Sequence, residues 1–535
     1  MSQISVQNLS YTYPGAHLPV FQGLSLSLDT SWRLGLIGRN GRGKTTLLRL
    51  LAGELEPDGA SVITRPTAME YFPFPVKDPS LPALEAVEEA VAPFRAMEAE
   101  MEALAAAGDP GAMERYGQVL ERYQAAGGYD IRQRVLREAA KLELREGVLE
   151  RPFGTLSPGE RVKLLLAALQ LRPGGFLLID EPTSHLDAAG RRAVGRYLAQ
   201  GGKGYLVVSH DRDFLDASCD HILALNRTSA DLIQGNYSSW QREKDREDAM
   251  ELARNQKLEK EAARLADAAR RASGWSDRLE KTKKGLGQDS ESGLRPDRGH
   301  IGAKSARMMK RAKAIQRRRE EALEEKRGLL RDLEEGEPLK LRILPTRRGF
   351  LVRAHGLTAD YGRGPVFPPV SFTVEPGQRL AVTGPNGCGK STLLGLILGW
   401  EIPHAGELDI PAELVVSWLP QDTSGLRGRL GDYVESQGVE GDLFRAILRK
   451  LDFPRELFEQ PLEGYSQGQK KKAALAASLA RPAHLLVWDE PLNYIDLLSR
   501  RQLEELILEY APAMVFVDHD ARFVRTVATQ VLELG

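Results

Sequence analysis

The sequence predicts an α/β fold laid down twice in tandem, with a long helical hairpin between the copies. Three observations carry this reading. The stretches "GRNGRGKTTLL" from Gly38 and "GPNGCGKSTLL" from Gly384 both fit G-x-x-x-x-G-K-[ST], each following an apolar β-like run and opening a helix. Downstream motifs recur at equal spacing: Ser157 to Asp180 and Ser466 to Asp489 both span 23 positions, as do Asp187 to His210 and Asp496 to His519. Between the copies, residues 241–345 are rich in charge and helix formers and poor in β-branched residues. The expected domains are therefore 1–240, a linker over 241–345 and 346–535, which suits a chain of 535 residues.

Each phosphate-binding loop has a physical rationale. Glycines let backbone N–H groups close around phosphates, a lysine neutralises the β/γ charge, and a hydroxyl is offered to magnesium. The candidate ATP contacts are Gly38, Asn40, Gly41, Gly43, Lys44, Thr45 and Thr46, then Gly384, Asn386, Gly387, Gly389, Lys390, Ser391 and Thr392. A glycine-rich strand-to-helix turn with no ligand is the plainer alternative. Tyr13 and Tyr361, lying 25 and 23 positions before Gly38 and Gly384, are candidate stacking surfaces for adenine, or tyrosines packed on a strand edge.

The apolar strands "FLLIDEP" and "LLVWDEP" end in paired carboxylates. Asp180 and Asp489 would stand by the metal, leaving Glu181 and Glu490 to face a water as bases or orienting groups for phosphoanhydride hydrolysis. His210 and His519 each close another apolar strand, where a donor to the γ-phosphate is useful.

The halves differ in one interval. Lys44 to Ser157 spans 113 positions and Lys390 to Ser466 spans 76. The surplus falls in an acidic stretch rich in Ala, Leu, Glu and Met with a Gly-Asp-Pro-Gly break, read as a helical arm over about 80–127. Its carboxylates suit a protein or ordered cations better than bare phosphates, if the arm has a partner.

Within the linker, Asp277 to Arg319 carries 14 basic and 5 acidic residues, while the whole chain has a formal net charge of −1. A basic tip on an acidic body suits insertion against a polyanion, here RNA, although charge runs are often solvated faces. The two cysteines, Cys219 and Cys388, give no disulfide or zinc framework, and no signal-like start or spanning apolar run is seen, so a cytoplasmic protein without a membrane segment is expected.

Taken together, these residues resemble the ABC ATPase family over nearly the whole chain. "LSPGE" and "YSQGQ" look like its signature loops, which in that family sit opposite the phosphate loop of the other half. The resemblance implies a monomer that sandwiches two ATP molecules, with Mg2+, between its own cassettes. It joins Lys44, Thr45, Asp180, Glu181 and His210 to Ser466 and Gly468, and Lys390, Ser391, Gln421, Asp489, Glu490 and His519 to Ser157 and Gly159. Thr45, Asp180, Ser391, Gln421 and Asp489 become the expected magnesium contacts. Pro158 departs from the usual glycine, but Gly159 keeps a free N–H.

Two cassettes joined by a charged hairpin, with "IQGNYSSWQREKDRE" at the exit from the first, resemble the ABC-F proteins, which act on ribosomes. More narrowly, "EGYSQGQKKKAALAASLA", "VWDEPLNYIDLLSRRQLEELI", "LIGRNGRGKTTLLRLLAGE" and "YFPFPVKD" look like the Lsa-type antibiotic-resistance branch. That resemblance implies an ATP-bound form that enters the exit site of the 70S ribosome and reaches toward 23S rRNA at the peptidyl-transferase centre and P-site tRNA. Lincosamides, streptogramin A and pleuromutilins would be displaced, and ATP hydrolysis would drive release. The part expected to reach the drug comprises Gly293, Leu294, Arg295, Arg298, His300, Ile301, Lys304, Met308 and Met309.

Phe74 stands where Gln421 has its counterpart, and a phenyl ring has no oxygen with which to ligate magnesium. The first site is thus expected to hold ATP with slower or less coupled hydrolysis, and the second to time release. A housekeeping translation factor of the same family is the rival reading. An ATPase subunit of a membrane transporter is a more distant one, since the basic linker would then have no use; a DNA-repair ATPase fits poorly because the insertion lies between complete cassettes.

Overall fold

The computed structural model describes residues 2–15, 18–226, 229–247, 249–250, 253–254, 257, 260, 264, 317, 341–362, 364–451 and 453–534. The chain divides into two compact units, Met1–Ser238 with Glu337–Gly535, and Ser239–Gly336. The described residues of the second unit are helical. The nine residues expected at the hairpin tip, Gly293 to Met309, lie outside the described residues. Among the described residues, no helix is long and apolar enough to cross a membrane.

Both halves of the larger unit contain a parallel sheet. In the first its order is Met69–Phe72, Phe176–Asp180, Gly204–Val208, Arg33–Gly38, His221–Leu225, Ala230–Gln234, with only the last strand antiparallel to its neighbour. In the second it is Val416–Leu419, Leu485–Asp489, Met514–Val517, Arg379–Thr383, Gln530–Glu533, parallel throughout. Parallel strands covered on both faces must be apolar along their length. Accordingly Phe176 to Ile179 and Leu485 to Trp488 are buried without a break. Each half adds a three-stranded antiparallel sheet, built on Gln3–Tyr11 and on Val352–Ala359.

Ala83–Val91 matches Leu430–Ser436 of the second half, each starting 11 positions after the end of its paired strand, and the extra residues of the first half form the helices Phe94–Ala107 and Pro110–Ala125. Their sequence explains the turn: Gly108 ends one helix with φ +65°, and Asp109 caps the next by accepting from the Ala112 N–H, with Pro110 at the first helical position. Phe94 and Tyr123 pack edge to face across the hairpin. The shorter interval of the second half holds Leu430–Ser436 and Gly441–Lys450.

The halves are joined by charge. Arg212, on the helix Arg212–Ser218, donates to Glu504 of the second half through both terminal nitrogens, one bond measuring 2.9 Å, and lies 3.4 Å from Asp520. Beside it Arg525 reaches Asp213 at 3.0 Å. By the repeat, Arg212 corresponds to Ala521 and Glu504 to Gly195, so the buried pair has no mirror image.

Candidate functional site

A parallel sheet gathers its carboxyl-end loops along one edge, and a ligand crevice opens where the strand order reverses. The strands Arg33–Gly38 and Arg379–Thr383 each sit centrally and feed a phosphate loop followed by the helix Lys44–Ala52 or Lys390–Ile397. Gly43 and Gly389 precede these helices at φ +86° and +95°. A Cβ there would lie 2.5 Å from Val20 Cγ1 or 2.7 Å from Val366 Cγ1, so only glycine fits. Lys44 Nζ donates to Gly38 O and Arg39 O, and Lys390 Nζ to Gly384 O and Pro385 O.

One cavity of about 1350 Å³ contains residues of both loops. That exceeds the ~300–1,000 Å³ of a single small-molecule pocket. From the first half it is lined by Tyr13, Asn40, Gly41, Gly43, Lys44, Thr45, Thr46, Asp180, Glu181 and His210. The second half contributes Asn386, Gly387, Gly389, Lys390, Ser391, Thr392, Gln421, Asp489, Glu490 and His519. Tyr13 donates to or accepts from Thr46 Oγ1 at 3.0 Å. Tyr361, more than half exposed, stands 3.5 Å from Thr392 and does not line the cavity.

The halves meet unequally across this cavity. Ser466 and Gly468 face the first phosphate loop, where Asn40 Nδ2 donates to Tyr494 O at 2.8 Å. On the other side Pro158 lines the cavity while Ser157 and Gly159 do not, and among the described residues no bond joins Asn386 to His185, the counterpart of Tyr494. Both signature stretches open helices through a capping box, Ser157 with Glu160 and Ser466 with Gln469. Pro158 takes the first helical position, where its missing N–H removes no helical bond.

Glu181 and Glu490 adopt left-handed backbone, φ +49° and +48°, fixed by bonds from their N–H groups to Val208 O and Val517 O. Strain of this kind in a non-glycine residue clusters at functional sites. In each half the histidine Nε2 lies 3.5 Å from the glutamate Oε1. Beyond this the sites differ. Burial, and then the charge of Asp180, push the Glu181 carboxyl up to about 7; its Oε1 and His210 Nδ1 are buried without hydrogen-bond partners. Burial also opposes the charge on Glu490, but bonds from His519, Gln421 and Asn493 hold it down at about 2. Ser184 occupies the position of Asn493 in the first half. Two of the three groups that stabilise Glu490 are thus replaced around Glu181.

Strand register fixes the second replacement. Phe72 pairs with Ile179 and Leu419 with Trp488, so Phe74 and Gln421 occupy equivalent places. Phe74 turns away from the cavity into the arm, where the guanidinium of Arg172 lies 3.7 Å over its ring. Near the expected metal contacts, Ser391 Oγ donates to Asp489 Oδ2 at 2.8 Å, and Asp180, which is bonded by the Thr45 side chain, also accepts from Tyr71 Oη at 3.4 Å. Burial raises the carboxyl pKa of Asp180 and of Asp489 and lowers that of the Lys44 ammonium. Glycine cradles, paired cations and orphaned polar atoms aimed at the cavity fit a triphosphate with a divalent cation.

Sequence reasoning missed Asn493, Lys471 and Arg212. Asn493 was visible as one of two differences between "EPTS" and "EPLN" at the same offset from the glutamates. Arg212 carried no signal, because its partner Glu504 lies 292 positions away.

Known proteins share this architecture. A family model described as ABC transporter matches residues 21–184 and 367–493. ABC transporter F family member 2 of Arabidopsis thaliana is 27% identical over 558 residues, covering 100% of this chain and 76% of its own. Putative ATP-binding protein YdiF of Bacillus subtilis is 28% identical, covering 100% and 80%. Energy-dependent translational throttle protein EttA of Escherichia coli is 28% identical, covering 96% and 89%. Among solved structures, an archaeal ribosome recycling factor, aABCE1, bound to a ribosomal stalk protein, aligns with a TM-score of 0.56 at 20% identity, over 98% of this chain and 87% of that one. That likeness is one of fold.

Proposed function

The chain is an ATPase belonging to the ABC transporter family, and from this premise we propose that ATP clamps its two halves together at two unequal sites and that the clamped form acts on the ribosome. The observation that carries the clamp is the bond from Asn40 in the first phosphate loop to Tyr494 of the second half, beside Ser466 and Gly468. In this reading Lys44 and Lys390 take the β/γ-phosphates, with the loop N–H groups cradling them. Thr45, Asp180, Ser391, Gln421 and Asp489 hold Mg2+, which offsets phosphate charge. Glu181 and Glu490 orient the attacking water and receive its proton, and His210 and His519 donate to the γ-phosphate. Ser157 and Gly159 close the second site less tightly than Ser466 and Gly468 close the first.

Gln421, whose amide oxygen can ligate the metal, makes the second site the one that times release; Phe74, which has no such oxygen, makes the first a holding site with slower or less coupled hydrolysis. Single-turnover hydrolysis by Glu181→Gln and Glu490→Gln tests this, and equal residual rates contradict it.

Action on the ribosome is supported by near full-length similarity to proteins named as ABC transporter F family members and translational throttles. The finer reading, carried by the signature and glutamate motifs, is that the chain between the cassettes displaces lincosamides, streptogramin A and pleuromutilins from the peptidyl-transferase centre. A drug-independent translation factor is the second reading, favoured by the name of the EttA relative. Expression in a drug-sensitive bacterium separates them. Tolerance to lincomycin, a pleuromutilin and streptogramin A but not tetracycline, lost in the double Glu181→Gln, Glu490→Gln variant, supports drug displacement. No change in tolerance, with the double variant stalling growth and co-sedimenting with ribosomes, supports the translation factor. Absence of any ribosome association refutes both.

A further inference from the structure

We propose that Lys471 is a positioning residue that couples the sensing loop of the second site to closure of the first. The inference rests on the two-site reading above. The helix Gln467–Ala480 begins at the first site, where its cap Ser466 and its residue Gly468 face the phosphate loop and Asn40. Less than one turn beyond Gly468, Lys471 is wholly buried. Its ammonium donates to Pro420 O at 2.8 Å, Gln421 O at 3.3 Å and Asp489 O at 3.1 Å. Lys470 adds a bond to Ser424 O at 3.0 Å.

The loop that carries Gln421 and the strand end that carries Asp489 therefore hang on the helix that closes the opposite site. An ammonium has three donors, and here three carbonyls take them. Hydrogen bonds weaken steeply beyond their normal distances. A shift of the loop by even an ångström must break these bonds or carry the helix with it.

Among the described residues, the first half has no such link. Five positions after Ser157 stands Val162, with no donor to offer. Arg161, in place of Lys470, turns back onto Leu156 O and Gly154 O. Phe74 packs at the other end of its helix, under Arg172. One sensing loop is thus tied to closure of the opposite site and the other is not. Coupling between binding sites is reciprocal, so ATP at the first site in turn biases the loop of the second.

The test uses the full chain. First-site hydrolysis is isolated in a Glu490→Gln background and second-site hydrolysis in a Glu181→Gln background, with the double variant as the inactive control. Lys471→Met is expected to lower first-site kcat at least fivefold with KM changed less than twofold, and Lys471→Arg to restore at least half of the lost rate. Val162→Ala, the mirror change, is expected to leave second-site kcat within twofold. A first-site kcat within twofold of its parent in Lys471→Met overturns the proposal, as does an equal effect of Val162→Ala. If Lys471→Met loses its cooperative melt, Gln421→Ala in the Glu490→Gln background decides: a fivefold fall in first-site kcat supports the coupling and no fall overturns it. Persistent hydrolysis in the double variant would instead refute the two-site reading, and the coupling with it.

Discussion

Replacing Arg212 with methionine should loosen the junction between the halves by a predictable amount. The Arg212 side chain is 5% exposed and its partners Glu504 and Asp520 are 10% and 4% exposed, so none can turn to water when the cation is removed. Removing one partner of a buried pair costs about 3–5 kcal/mol, because the remaining charge is left desolvated and alone. Asp520 keeps Arg500 at 3.1 Å, so Glu504 bears most of that loss. Replacing both Arg212 and Glu504 by methionine removes the stranded charge and should return most of the stability, since apolar isosteres of buried pairs are often neutral. A urea titration of the four proteins in a double-mutant cycle measures both effects. If Arg212→Met alone shifts stability by less than about 1 kcal/mol, the pair behaves as a solvent-screened surface pair and the burial argument is wrong. If the double variant is no better than the singles, the loss came from packing rather than charge.

Asn493→Ser copies the first site into the second, deleting a bond to the Glu490 carboxylate. A hydrogen bond to a charged group is worth about 1.5–3 kcal/mol, and this one favours the ionised carboxyl, so its loss should move the acid limb of second-site single turnover, read in a Glu181→Gln background, upward by about 1–2 pH units. An unchanged acid limb would detach that bond from function. Glu490 also predicts an acid limb. Its carboxyl lies at about 2 in the folded chain against an ordinary 4.5, so its stabilisation is fully present above pH 4.5 and is lost as the pH falls through about 2. Glu490→Gln should remove up to about 3 kcal/mol of that pH dependence from denaturation curves taken across the window. The two thiols should also part company. Burial raises Cys219 to about 12, whereas Cys388 lies part-exposed in the second phosphate loop. At pH 8 the thiolate fraction of Cys219 is on the order of one in ten thousand, so iodoacetamide should label Cys388 alone, and ATP should protect it. Labelling of Cys219 at a comparable rate would show that the end of the helix Arg212–Ser218, which Cys219 caps, opens in solution.

Much of the local chemistry was legible because it is written in backbone requirements. A loop that must wrap phosphate needs glycines at positive φ, as at Gly43 and Gly389. A strand buried on both faces needs an unbroken apolar run, as in Phe176–Asp180 and Leu485–Asp489. Because the chain repeats these demands, equal spacing alone aligned its carboxylates and histidines. The arm was readable from Gly108, Asp109 and Pro110, whose conformational preferences stop one helix and start the next.

The sequence by itself therefore determined the two α/β halves, their phosphate loops and the strand ends that carry Asp180, Glu181, Asp489 and Glu490. Tertiary structure alone decided how unequal the two sites are. Whether a glutamate is stabilised or stranded depends on what packs against it, and Asn493, Gln421 and His519 reach Glu490 from three different segments. The direction of Phe74 was likewise settled by the arm cluster and Arg172, which no local pattern announces. Contacts such as Asn40 to Tyr494 and Arg212 to Glu504 join residues 454 and 292 positions apart. They arise only when two finished surfaces dock, and a docking geometry leaves no periodicity in the chain that makes it.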